Sequence, residues 1–121
     1  MDVITIAKKM YDRIIALSKA RDQMESLAQM KAHTISSYER VLAITIIKLR
    51  NTEPVELEGK TILDPPVTIM ERIARGVCYK EKLEMEKADA MYKAEITCMN
   101  ALQAELNGLQ SINKYLGEVV E

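Results

Sequence analysis

The chain has 121 residues, with 17 lysines and arginines against 18 aspartates and glutamates, one histidine and two cysteines. This length predicts a single domain over residues 1–121, and the formal net charge of −1 excludes the broad basic surface that most nucleic-acid-binding proteins carry. With 48% hydrophobic and 29% charged residues, the sequence is too apolar for a disordered chain and lacks the uncharged run of about 18 residues that a membrane-spanning helix needs.

The first fifty residues predict one long helix, over about 3–50. They contain neither glycine nor proline, which is typical of helical segments. Apolar side chains recur every seven residues and predict a coiled-coil seam, formed by Val3, Met10, Leu17 and Met24, with Ala7, Ile14 and Ala28 at the alternate positions. Arg21 is the one charged residue on this predicted seam.

Two stretches of the first helix leave alternatives open. The apolar pattern fades over residues 32–37, so a kink or break in the helix is an alternative there. Residues 41–47 are rich in β-branched side chains, for which a strand is a real alternative. We favour a helix because no turn signal separates this block from the residues before it.

Residues 54–63 predict a short β-hairpin. Apolar Val55 and Leu57 alternate with glutamates, and Gly59 with Lys60 supplies a turn into the next apolar run. The Asp-Pro-Pro segment at 64–66 ends the hairpin. Thr68, followed three residues later by Glu71, predicts a capping box at the start of the second helix.

Residues 67–118 predict the second long helix. Its two seven-residue series of seam positions contain Met85, Tyr92, Met99 and Leu106, and Ala88, Leu102, Leu109 and Leu116. Glu95 and Asn113 fall on the same seam, where a buried asparagine sets register or the number of strands. The predicted fold class is therefore mainly α, with two long helices joined by a short β-hairpin.

The length of the two helices predicts an oligomer. A helix of about 45 residues is nearly 70 Å long, and two such helices packed on each other leave much of their apolar width uncovered. Exposed apolar surface of this extent marks an interface. We therefore expect coiled-coil-like packing in a symmetric homo-oligomer, a dimer or a dimer-based higher assembly.

The sequence contains no recognisable catalytic or metal-binding set. His33 is the single histidine, has no potential metal ligand at a suitable spacing and is expected on the surface. Neither Cys78 nor Cys98 has a paired cysteine or a histidine nearby, and no phosphate-binding loop or nucleophile motif is present. We expect no enzyme activity, no metal and no cofactor. Unpaired cysteines and the absence of a secretory signal indicate the cytoplasm.

One group of residues favours binding of a phosphate-bearing ligand. Arg72, Arg75, Tyr79 and Lys82 are spaced by three, four and three residues, which places them on one stripe of the second helix. Arginine forks bind phosphate oxygens, a tyrosine ring can stack on a base, and a lysine adds a positive charge. Gly76 lies within the stripe and would let a ligand or a second backbone approach closely.

The surroundings of this stripe add to the predicted site. The free backbone N–H groups near residues 67–70 form an anion site at the helix start. The end of the first helix lies only a hairpin away and contributes Lys48, Arg50 and Asn51. The alternative interpretation is a solvated helix face, in which these cations form ion pairs with Glu71, Glu81 and Glu86.

A second possible anion site lies on the first helix, at Arg21 and Lys19. An arginine on a seam is costly unless a partner or an anion neutralises it. If three or more helices met at an axis there, a ring of Arg21 side chains could bind an anion. The alternative is that Arg21 is a polar seam residue that sets the register of the helices.

Two segments carry a resemblance to known proteins. Residues 49–93 and 106–116 read LRNTEPVELEGKTILDPPVTIMERIARGVCYKEKLEMEKADAMYK and LNGLQSINKYL. They resemble small early proteins of Firmicutes phages and prophages, and among these the Thoeris anti-defence sponge family. The resemblance implies a non-enzymatic oligomer that sequesters cyclic ADP-ribose signals, with some members binding cyclic oligonucleotides at a separate site. Arginines and an aromatic residue that clamp the nucleotide would correspond to Arg72, Arg75 and Tyr79, whereas the absence of phenylalanine departs from the family.

The functional expectation is a phage anti-defence protein that binds a small anionic nucleotide without catalysis. One alternative is a coiled-coil adaptor or inhibitor that binds a host protein through its exposed helix faces. Another is an accessory protein of phage DNA metabolism, although the balanced charge disfavours the many phosphate contacts on which nucleic-acid affinity depends.

Overall fold

The computed structural model describes residues 2–120 and is mainly helical. Its elements, in chain order, are α1 (Val3–Arg50), β1 (Val55–Leu57), β2 (Lys60–Ile62), α2 (Val67–Val77) and α3 (Tyr79–Val120). The predicted fold class is confirmed, since two long helices flank a two-stranded antiparallel hairpin. Helix α1 is continuous, which confirms the helical interpretation of 41–47 and excludes a break near 32–37.

The second predicted helix is interrupted at Cys78, where α2 ends and α3 begins. Cys78 has φ −91° and ψ 23°, outside the usual helical range. Its N–H donates to the Ala74 carbonyl at 3.1 Å, and the Lys82 N–H donates to the Cys78 carbonyl at 3.0 Å. Because helical hydrogen bonds persist on both sides, and no proline marks the break, the sequence carried no signal for it.

The starts of α1 and α2 are capped differently. The Thr5 N–H donates to Asp2 Oδ1 at 2.7 Å, so Asp2 caps α1. The hydrogen bonds from Thr5 lower the pKa of the Asp2 carboxyl, because they favour its charged form. The predicted capping box at Thr68 is wrong: Pro66 occupies the N-cap of α2 without a side-chain hydrogen bond, so Thr68 already lies inside the first turn.

The hairpin forms where it was predicted, with its turn one residue earlier. Val55 pairs with Ile62, and Leu57 pairs with Lys60. The two residues between the strands, Glu58 and Gly59, both have positive φ, at 48° and 77°, as a tight two-residue hairpin turn requires. Gly59 adopts this conformation without steric cost.

The contacts divide the chain into two compact units. Unit 1 combines the described residues up to Ala28 with those from Met91 onward, and unit 2 runs from Gln29 to Ala90.

Unit 1 is a pair of helical segments packed along a coiled-coil seam. On α1, buried and half-buried side chains alternate at spacings of four and three residues, at Ile6, Met10, Arg13, Leu17, Ala20, Met24 and Leu27. The matching positions of α3 are Tyr92, Glu95, Met99, Leu102, Leu106 and Leu109. The predicted seam of α3, including Glu95, is therefore confirmed for this stretch.

The predicted seam of α1 is only half correct. Met10, Leu17 and Met24 face inward, whereas Val3 is exposed, and so are the alternate positions Ala7, Ile14 and Ala28. The alternate seam positions are instead Ile6, Arg13, Ala20 and Leu27. Each follows a member of the first series by three residues, whereas the predicted positions follow by four. The sequence is apolar on both flanks of the first series, so periodicity alone did not distinguish them.

The polar seam residues also differ from the prediction. Arg21 is exposed, and the arginine on the seam is Arg13, whose Nε pairs with Glu105 Oε2 of α3. Asn113 is exposed too, so it is not a buried register residue within this chain.

Unit 2 contains a small apolar core beneath the hairpin. Its buried members come from the end of α1, from β1 and from α2: Leu49, Val55, Met70 and Ala74. Half-buried side chains of α1, β2 and α2 surround them, at Leu42, Ile46, Ile62, Ile73 and Val77. We call this part of unit 2, residues 42–77, the cap.

Candidate functional site

The predicted ligand-binding residues all lie in unit 2, but they do not form one continuous helical stripe. Arg72 and Arg75 are exposed on α2, whereas Tyr79 and Lys82 belong to α3, beyond the break at Cys78. Their spacing would place all four residues on one stripe only if a single straight helix ran through them.

The two arginines differ in their partners. Arg75 Nη2 donates to Glu71 Oε1 at 2.7 Å, one turn earlier on α2, and both side chains are exposed. This is the ion pair of the solvated-face interpretation. Arg72 makes no ion pair within the described part of the chain. Of the two, Arg72 therefore has the guanidinium that is available to an added anion.

The other two members of the predicted stripe contact different groups. The Lys82 ammonium lies 5.3 Å from the centroid of the Tyr38 ring on α1 and 3.8 Å from Glu86 Oε1. Tyr79 is exposed, with the Lys80 ammonium 6.0 Å from its ring centroid. Lys82 is thus half-buried within unit 2, and its charge is directed to Tyr38 and Glu86.

The space beside Gly76 is already occupied. A Cβ atom added at this glycine would meet the two δ-carbons of Leu57 at 3.5 and 3.6 Å. Leu57 of β1 therefore packs against α2 at the place where close approach of a ligand was predicted. The predicted role of Gly76 in ligand binding is wrong, because the hairpin itself covers it.

The end of α1 lies beside the start of α2, as predicted, and Arg50 is the predicted residue found at this junction. It borders a cleft of about 140 Å³ together with residues of the end of α1 and the start of α2: Ile46, Val67, Met70 and Glu71. Ligand pockets usually measure roughly 300–1,000 Å³, so this cleft is too small to enclose a nucleotide. Lys48 and Asn51 are exposed and do not border it.

The second predicted anion site is not on a seam. Lys19 and Arg21 are both exposed on α1 in unit 1. A ring of Arg21 side chains around a shared axis was expected only because Arg21 was assigned to the seam. Arg13 is the arginine on the seam within this chain, where it pairs with Glu105, and an anion at Arg21 stays a prediction.

The structure shows a larger cleft that the sequence did not indicate. It measures about 310 Å³, lies in unit 2, and is lined by His33, Thr34 and Ser37 of α1 and by Lys80, Glu81 and Glu84 of α3. His33 was expected to be an ordinary surface residue; it is exposed but borders this cleft. No local pattern could have indicated this cleft, because it forms between residues of α1 and α3 that are far apart in the chain.

Two further features of residues 2–120 concern metals and membranes. No three His, Cys, Asp or Glu side chains there are grouped so that they could hold a metal ion. None of the helices described has the length and apolarity needed to cross a membrane.

Comparison with known proteins identifies no relative: no family model, curated protein or solved structure matches this chain. The resemblance to the Thoeris anti-defence sponges stays a prediction.

Proposed function

We propose that the protein is a non-catalytic interaction module whose cap binds another protein through apolar side chains. The observation that carries this proposal is the exposure of large aliphatic side chains on the cap. Ile47, Leu63 and Val67 are 58%, 62% and 77% exposed. Ile44 and Ile69 are exposed as well, and we call these five residues the cap surface.

The residues of the cap surface lie on elements that pack on a common core. Ile47 lies on α1, Leu63 follows β2, and Val67 is the first residue of α2. These elements meet in the core around Leu49 and Val55, so their outward side chains are held in place before a partner binds. Pre-organisation of this kind lowers the entropic cost of association.

The free energy gained by burying these aliphatic side chains favours a protein partner. Burying a valine, leucine or isoleucine side chain contributes roughly 1.5–3 kcal/mol, and exposed apolar patches on folded proteins mark interaction sites. The cap surface therefore offers several such contributions to a partner that presents apolar side chains of its own. We place the protein in the cytoplasm, because both cysteines are free and free thiols persist in reducing compartments.

A peptide-display selection on the purified protein tests this function. We expect the selected peptides to be apolar and to bind Val67→Ser at least about 10-fold more weakly than the wild type, because one buried valine is lost. Glu39→Ser, an exposed change on α1 of the same unit, serves as the matched control and should leave binding unchanged. Peptides that bind all three proteins equally would show that the cap surface is not the site.

Binding of a small anionic nucleotide, of the cyclic ADP-ribose type or a cyclic oligonucleotide, is the second candidate function. It is favoured by Arg72, which has no ion pair in the described chain, and by Arg50, which borders the cleft at the start of α2. The ligand would lie across these arginines on the surface of the cap and would be sequestered without catalysis, as in a phage anti-defence sponge.

Calorimetric titration with cyclic ADP-ribose and with a cyclic dinucleotide tests the second candidate. Hydrogen bonds to charged groups contribute roughly 1.5–3 kcal/mol, so Arg72→Ala should weaken binding by about 10–100-fold. Arg40→Ala, an exposed arginine of α1 outside the cap, should bind as the wild type does. Unchanged affinity of Arg72→Ala, or no heat of binding for the wild type, would remove this candidate.

A further inference from the structure

The first four turns of α1 carry a second apolar face that the helix pair of unit 1 does not cover. Ile4, Tyr11 and Ile14 are 73%, 65% and 51% exposed, and Val3 and Ile15 are exposed beside them. These residues lie outside the intramolecular seam that contains Ile6, Arg13 and Leu17. We call this surface the α1 face.

Polar residues edge a shallow groove on the same surface. Val3, Ile4, Ala7, Lys8, Tyr11 and Asp12 line it, all of them on α1. Lys8 and Asp12 lie one turn apart, yet neither makes an ion pair within residues 2–120. The α1 face thus presents one unpaired charge of each sign beside an exposed tyrosine ring.

We propose that a second copy of the chain docks on the α1 face, with the two α1 helices antiparallel around a two-fold axis. A two-fold axis brings the same surface of both copies together, so a contact from residue i of one copy to residue j of the other is repeated from j to i. The two charges are self-complementary under this symmetry, because Lys8 of each copy meets Asp12 of the other. This proposal concerns unit 1 and does not depend on the function of the cap.

The spacing of the side chains supports this alignment. Ile4, Lys8, Tyr11 and Ile15 follow one another at intervals of four, three and four residues, which is the spacing of a helix–helix seam. In an antiparallel pair, Ile4 then lies against Ile15 of the second copy. Tyr11 lies against Lys8 of that copy, where the ammonium can rest on the ring as a cation–π contact.

The apolar part of the α1 face is confined to one end of α1. Its five large apolar side chains are all exposed, and the stems of Lys8 and Asp12 add to the area that a pair would bury, toward the roughly 800 Å² per partner of a specific interface. Beyond Ile15 the same side of the helix becomes polar, at Ser18, Asp22 and Glu25. The apolar contact therefore ends near Ile15, and the two copies that share it form a closed dimer.

Sedimentation of the full chain at micromolar concentration tests the proposal through a charge swap. We expect a dimer of twice 13.7 kDa for the wild type. Lys8→Asp and Asp12→Lys should each weaken it about 10-fold, since rim charges also repel when they match in sign, and the double variant should restore it. Lys19→Asp, a charge change on the same helix outside the α1 face, is the matched control.

A second variant removes the apolar contact. Tyr11→Ser should weaken the dimer by at least about 10-fold while the helical circular dichroism persists, because Tyr11 is exposed in the single chain. A monomeric wild type, a dimer unaffected by Tyr11→Ser, or a double charge variant that stays dissociated would overturn the proposal. The cap variant Val67→Ser should leave the dimer intact, which separates this test from that of the proposed function.

Discussion

Leu49→Ala is expected to lower the free energy of unfolding by about 2–5 kcal/mol, as truncation of a buried leucine does when the cavity cannot collapse. Leu49 is fully buried at the centre of the cap core, against Val55, Met70 and Ala74. These residues come from three elements, which pack together in this core. Loss of Leu49 should therefore loosen the hairpin and α2 together.

Ile47→Ala is the matched control, two residues earlier on the same helix. Ile47 is 58% exposed, so its truncation should change the free energy of unfolding by no more than about 0.5 kcal/mol. Urea unfolding followed by circular dichroism measures both variants. Equal effects of the two substitutions would show that the last turns of α1 do not bury the Leu49 side of the helix.

Cys78 is expected to react with a thiol reagent at least about 1,000-fold more slowly than Cys98 in the native protein. Cys78 is fully buried at the junction of α2 and α3, with its Sγ 3.6 Å from the Thr45 hydroxyl of α1, whereas Cys98 is exposed on α3. Reaction at Cys78 requires the junction to open, and opening of a packed region costs several kcal/mol. Each 1.4 kcal/mol slows the reaction about tenfold.

Colorimetric titration with a disulfide reagent follows both thiols, and Cys98→Ser isolates the slow one. In concentrated urea the two cysteines should react at similar rates, because burial no longer distinguishes them. Rapid reaction of Cys78 in the native protein would mean that the junction between α2 and α3 is open and that Thr45 and Cys78 are not packed together.

The sequence predicted which residues lie near the two helix ends, but not how they contact one another. The sequence predicted that cations of the second helix would lie near the end of the first, and the cleft bordered by Arg50 and Glu71 confirms that the two helix ends meet. It could not show that Lys82 lies over Tyr38, nor that Leu57 covers Gly76. Both contacts join residues far apart in the chain, and no local pattern encodes them.

The secondary structure follows from the sequence alone, because its signals are local. A segment without glycine or proline forms α1, alternating residues before Gly59 form the hairpin, and a seven-residue repeat predicts the seam of α3. The helix and the hairpin depend on interactions between residues that are close in sequence, and the repeat marks which side of α3 is apolar. The break at Cys78 is the exception, since the burial of its side chain beside Thr45 is a tertiary contact.

Only the tertiary structure decided which side of α1 is buried. The helix is apolar on both flanks of Met10 and Leu17, with Ile6 on one side and Ile14 on the other. The hydrophobic effect is non-directional, so either flank could have packed on α3. In the structure Ile6 is buried and Ile14 is left exposed. Packing against α3 makes this choice, and it leaves on the surface the apolar residues through which we propose that a second copy binds.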